Sequence, residues 1–268
     1  MNTTPKILIL SYYWPPSGGS GVQRWMYFAK YLKQLGYEPI VVTVAESQAS
    51  YPVLDPSLIQ EVEGIRVIKT ATREPLRWYS RLTSGDSKKG IPQGEVQTTS
   101  IFGKIAAYIR GNFFIPDARK GWVPFAVKAA QAVLKQEKIH CLITTGPPHS
   151  THLAGLQLAK QFQLNWWVDF RDPWLDVFYN KQLHRSQSSQ AKDAALEKTV
   201  LHYASGVITT TGGDLHQSLL QKAPDQKFVA LPNGYDAELM QQTPAAPKKD
   251  GFHIVYTGLL TQKLQKQK

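Results

Sequence analysis

The stretch "KILILSYYWPPSGGSGVQRWMYFAKYL", residues 6–32, decides the reading of the fold. A short apolar run at 7–12 leads into a connection that holds Pro15, Pro16, Gly18, Gly19 and Gly21. Behind it Trp25, Phe28, Ala29, Leu32 and Leu35 recur at i, i+3, i+4, i+7 and i+10, which predicts a helix, with Gly36 as its stop. Glycine accepts positive φ and lets another backbone or a ligand come close, while proline stiffens the approach. Strand, glycine-rich turn and helix together aim backbone N–H groups at an anion. The rival reading is a tight surface turn. A Walker loop needs a lysine that is missing here, and the dinucleotide fingerprint needs a glycine where Arg24 stands. Arg24 in the first turn opposes the helix dipole, so it is expected to meet an anion.

Outward from this unit the same rhythm repeats. Apolar runs at 39–45, 65–69, 139–145, 165–170, 206–211 and 227–231 read as strands, with helical patterns at 150–162 and 214–222. Nearly continuous apolar strands alternating with helices predict an α/β chain, a Rossmann-like doubly wound parallel sheet covered on both faces. Two segments break the rhythm. Residues 73–120 are long, basic and aromatic, and a stretch of that length between sheet elements is usually functional. Residues 243–250, TPAAPKKD, have linker composition, and a strand-like run follows at 252–257.

The chain has 268 residues, 42% of them hydrophobic and 19% charged, enough for a sizeable core. Its formal charge of +11 suggests a polyanionic partner, either phosphorylated ligands or an anionic membrane surface. Nucleic acid is not expected, because the basic residues do not gather on one helix and no recognition motif is present. Cys141 is the only cysteine, which excludes an internal disulfide and fits a cytoplasmic chain. No apolar run approaches the roughly 20 residues of a membrane span.

In a parallel sheet ligands bind beyond the carboxyl ends of the strands. The glycine loop, 145–150, 169–172 and 209–214 all follow such ends, so they should line one edge. His149 and His152 are candidates to face the cleft, with Ser150 as the N-cap of the helix at 150–162. Asp169 and Asp172 flank Arg171. One carboxylate is expected to pair with an arginine and shape the loop, the other to meet a hydroxyl nucleophile, and the sequence leaves open which does which. The histidines are scattered with no metal-ligand spacing.

Four segments, YYWPPSGGSGVQR at 12–24, TGPPHSTH at 145–152, DFRDPW at 169–174 and LPNGYD at 231–236, together resemble the N-terminal half of glycosyltransferase family 4 enzymes, those of bacterial surface-polysaccharide pathways in particular. The resemblance implies a GT-B architecture: residues 1–236 as the acceptor-side Rossmann-like domain, 237–251 as a linker, and 252–268 as the truncated start of a donor-binding domain. It implies transfer of a sugar, with retention and without metal or cofactor, from a nucleotide-diphospho-sugar to a saccharide or lipid-linked acceptor, at the inner face of the cytoplasmic membrane. Gly18, Gly19 and Gly21 would approach the donor diphosphate, joined by Arg24 and Arg171. Asp169, Asp172 and His149 would be catalytic; the DFRD strand end would occupy the place of the family's sugar-contacting histidine, with His149 serving in its stead. A non-catalytic glycan- or membrane-binding subunit is the alternative. A nicotinamide-dependent oxidoreductase is a further one, opposed by Arg24.

Overall fold

The computed structural model describes residues 4–49, 51, 53–74, 101–177, 180, 183–242 and 251–255. Seven strands, β1 (Lys6–Leu10), β2 (Glu38–Val44), β3 (Arg66–Thr70), β4 (Cys141–Gly146), β5 (Trp166–Phe170), β6 (Gly206–Thr209) and β7 (Phe228–Ala230), form one parallel sheet. Their order is β3-β2-β1-β4-β5-β6-β7. Leu8 of β1 sits opposite Ile40 on one side and Leu142 on the other. Because side chains alternate along a strand, Leu8 and Leu10 enter one hydrophobic cluster while Ile7 and Ile9 enter another, across the sheet. Both faces are buried, which is why the strands read as unbroken apolar runs.

Helix α1 (Ser20–Gln34) covers the face of Ile7 and Ile9 through Trp25 and Ala29. Its stripe ends at Leu32. Leu35 is 74% exposed as the C-cap residue, and Gly36 turns the chain at φ 87°. A single turn, α2 (Leu58–Glu61), packs beside α1 and is followed along the chain by α3 (Ile101–Phe113). The opposite face is covered by α4 (Val123–Gln136), α5 (Ser150–Phe162) and α6 (Gln187–Tyr203), through Ala126, Ala130, Ala154, Leu158, Val200 and Leu201. Helix α7 (Asp214–Lys222) lies between β6 and β7. The strands predicted between 7 and 231 and the helices at 150–162 and 214–222 are present with small shifts at their ends.

Helix α6 escaped the periodicity because it turns polar residues inward. Ser189, Asp193 and Glu197 are buried, with Trp174 and Arg185 donating to Asp193 at 2.7 and 2.6 Å and Lys222 pairing with Glu197 at 3.0 Å. Each buried carboxylate thus has a charge-assisted partner, the condition under which such burial is tolerated. Of the segment 73–120, residues 75–100 lie outside the described residues.

The chain divides into two compact units, Met1–Gly234 and Tyr235–Lys268. In the second, part of the expected linker is helical: AELMQQ forms α8 (Ala237–Gln242), from residues of good helix propensity. Residues 252–255 form no strand, contrary to expectation, and Phe252, Ile254 and Val255 are exposed. The rest of that run, and 243–250, lie outside the described residues. Among the described residues, no helix is long and apolar enough to cross a membrane.

Candidate functional site

The sheet order reverses between β1 and β4: after β1 the chain moves to β2, after β4 to β5. The crevice beyond the carboxyl ends at such a switch point is where open α/β sheets bind ligands. Three connections meet there: residues 11–19, the turn at 147–149, and Arg171 with Asp172 beyond β5.

The first connection ends in the N-terminus of α1. Gly19, its N-cap, is exposed at φ 94°, a left-handed conformation open to glycine, and no acidic residue stands in the first turn. The first amides of a helix have no partner within it, so this terminus presents N–H groups at the crevice. The three glycines divide here. A Cβ on Gly19 would meet nothing within 4 Å, whereas one on Gly21 would lie 2.6 Å from Nη1 of Arg171. Gly18 has a packing role instead. Its amide donates to Val53 O at 2.9 Å, and a Cβ would press on Asp55 and Val53 at 3.1 Å.

Asp169 is fully buried near the end of β5. Alternation sends its side chain to the α1 face and Phe170 to the other. Its carboxylate accepts from Nη2 and Nε of Arg24 at 2.9 and 3.1 Å, from Trp25 Nε1 at 2.6 Å and from Thr145 Oγ1 at 2.8 Å. Arg24 is equally sealed. Nη1 donates to Asn233 Oδ1 at 2.8 Å, and the guanidinium stacks over Phe28 at 4.8 Å. Instead of a pair inside DFRD, Asp169 takes Arg24 as its partner, 145 residues away. This revises two expectations. The anion that Arg24 meets is the protein's own carboxylate, and Asp169, saturated by four donor groups, has a structural place in the fold.

Arg171 spans the crevice floor. It donates to the carbonyls of Gly21, Gly146 (3.2 Å) and Pro147 (2.5 Å), so one side chain ties α1 to the end of β4. Burial lowers its pKa, opposed by Asp169 and Asp172. Asp172 lies next to it and is exposed.

His149 and His152 stand on the α5 side. His149 stacks on Trp174 at 5.1 Å and His152 on Phe170 at 4.9 Å. Burial pushes His149 down to about 3 and His152 well below its ordinary value, so both are neutral at pH 7. Trp166 Nε1 donates to Thr144 Oγ1 at 3.0 Å, leaving the Thr144 proton for His152 Nδ1 at 2.9 Å and the ring proton on Nε2. Among the described residues, His152 Nε2 and His149 Nδ1 have no hydrogen-bond partner; both lie within 3 Å of where a Cβ on Gly146 would stand.

The N-terminus of α5 is closed. Asp117 accepts from Ser150 N at 2.7 Å and Ser150 Oγ at 2.8 Å, and burial raises its pKa. Ser150 is thus the first helical residue and Asp117 supplies the cap, from a loop 33 residues earlier. Asp117 was missed by sequence reasoning, and the partners of Thr145 and Asn233, residues inside TGPPHSTH and LPNGYD, were not legible there, since no local pattern marks a partner so distant in sequence. Among the described residues, no group of three His, Cys, Asp or Glu side chains could hold a metal ion.

The chain is similar to several solved glycosyltransferases. These include sucrose-phosphate synthase from Thermosynechococcus elongatus, at 15% identity and TM-score 0.44, covering 88% of this chain and 92% of that one. Anabaena HepE in complex with UDP and glucose matches at 14% and 0.47, covering 88% and 46%, and a UGT transferase from Siraitia grosvenorii in complex with UDP at 12% and 0.42, covering 85% and 50%. The chain thus spans about half the length of the latter two. No curated protein sequence matches it. The family model described as a glycosyl transferase 4-like domain matches residues 18–234, most of the chain and nearly all of its first unit. With its glycine loop, its β5 end and its Asn233 segment inside that span, the chain belongs to the glycosyl transferase 4-like domain family.

Proposed function

We propose that this chain supplies the acceptor-side half of a GT-B glycosyltransferase, moving a sugar from a nucleotide-diphospho-sugar to a saccharide or lipid-linked acceptor. The setting we assign is assembly of a cell-surface polysaccharide at the cytoplasmic face of the membrane, with retention and with no metal or cofactor. The observation that carries this reading is the contrast between two helix termini at one sheet edge. The N-terminus of α1 is exposed and free of acids, whereas that of α5 is filled by Asp117. Of these two, the terminus that favours a diphosphate is that of α1, on its first amides at Gly19 and Gly21. Arg171 fixes that seat against β4. We assign the acceptor hydroxyl to Asp172, which is exposed beyond β5, with the neutral His149 ring beside the crevice.

Calorimetric titration of the chain with UDP and other nucleoside diphosphates tests the seat. The parent should bind, and Gly19→Val and Gly21→Val should each weaken binding about tenfold or more, because a side chain there separates phosphate from the amides. No binding by the parent, or variants that bind equally while melting earlier, would reduce the loop to a turn.

A further inference from the structure

Helix α3 carries four large apolar side chains on the outside. Ile105, Tyr108, Ile109 and Phe113 are 42% to 68% exposed and, at i, i+3, i+4 and i+8, share one face. Ala107 is buried, and so is Gly111, where a Cβ would come 2.5 Å from the Leu183 carbonyl. The inner face is thus built of small residues packed toward α6, the reverse of a helix that faces water. Residues 101–116 contain no acid, and residues 73–113 hold seven Lys and Arg against three Asp and Glu. The C-terminal end of α3 opens on a cavity of about 70 Å³ between Arg110, Phe114, Pro116, His149 and Trp174.

We infer that the outer face of α3 docks on an anionic lipid bilayer, and, resting on the transferase reading above, that the acceptor is the lipid-linked kind, its head group entering beside Arg110 toward His149. Charge selects the occupant. A second copy would bring +11 against +11, while an anionic surface attracts a chain of that charge and meets no acid in the sequence of residues 101–116. A helix of 13 residues lying flat, with a tyrosine among aliphatic side chains and no acid, suits the interface of a bilayer.

Co-sedimentation of the purified chain with vesicles of phosphatidylcholine alone, and of phosphatidylcholine with phosphatidylglycerol, decides it. The parent should sediment with the anionic vesicles and less so at high salt. Ile109→Ser and Phe113→Ser should each lower partitioning about tenfold or more, whereas Leu35→Ser, at a still more exposed site just beyond α1, should not. All three variants should melt with the parent, and Phe113→Ser should keep its heat of UDP binding, so loss of docking and loss of the donor seat are read separately. Failure of the parent to bind anionic vesicles, binding unchanged in Ile109→Ser and Phe113→Ser, or a lipid-free dimer dispersed by Phe113→Ser would each overturn the proposal.

Discussion

At the scale of single residues, the pair Arg24–Asp169 governs more than any group exposed in the crevice. Both side chains are out of water, and the carboxylate is held by a guanidinium, an indole N–H and a hydroxyl. Removing the charge from one partner leaves the other buried and uncompensated, which typically costs about 3–5 kcal/mol. Asp169→Asn should therefore lower the urea unfolding free energy by an amount in that range, whereas Asp172→Asn, at an exposed site, should change it by less than about 0.5 kcal/mol. Equal stabilities for the two variants would show that the ion pair contributes nothing net. A charged cluster such as DFRD reads alike for all its members in one dimension, yet alternation along β5 turns Asp169 inward, whereas Asp172, beyond the end of the strand, is exposed.

At the scale of elements, the site rests on how helices begin. Beside the switch point two α-helix N-termini differ: Asp117 already caps that of α5 through the backbone and side chain of Ser150, whereas that of α1, the seat proposed for a foreign anion, has no side-chain cap. Loss of such a cap costs about 1–2 kcal/mol. Asp117→Ala should destabilise the chain by about that much in chemical denaturation, while Asp117→Asn, which can still accept, should restore part of it. If alanine there is silent, water replaces the cap and the contrast between the two termini is lost. The helices themselves differ in how openly they announce their packing. α1 shows an apolar stripe, α3 turns one toward solvent, and α6 buries carboxylates that a hydrophobic pattern cannot reveal.

At the scale of the whole molecule, a basic protein with two sealed neutral histidines is sensitive to acid. The folded-state pKa of His149 is lowered to about 3, against about 6.5 for an unfolded histidine. The unfolded chain then binds the proton first, so the contribution is fully present above pH 6.5 and declines as pH falls toward 3, by up to about 1.4 kcal/mol per pH unit. His152 acts with the same sign. Asp117, Asp193 and Glu197 act with the opposite sign, since burial raises their pKa values and the folded state takes up their protons first. The diagnostic quantity is therefore a difference. The stability of the parent minus that of His149→Phe, from urea titrations at pH 7 and pH 4.5, should fall as the pH is lowered. A difference independent of pH would mean that His149 titrates normally.

The doubly wound sheet was legible from residue order alone, because strands buried on both faces must be apolar throughout and helices between them must carry a stripe: KILIL followed by Trp25, Phe28, Ala29 and Leu32 states both requirements locally. The resemblance carried by YYWPPSGGSGVQR, TGPPHSTH, DFRDPW and LPNGYD likewise lay in the order of residues, and the family match over 18–234 agrees with it. The roles of individual charges were not legible. Arg24 finds Asp169 across 145 positions and Asp117 finds Ser150 across 33, and Gly18 packs against Val53 and Asp55 while Gly19 stands open. Periodicity and turn chemistry are enforced by neighbours a few residues apart, so they are written locally. The partner of a buried charge is set by which strands and helices come together, and that only the tertiary structure decides.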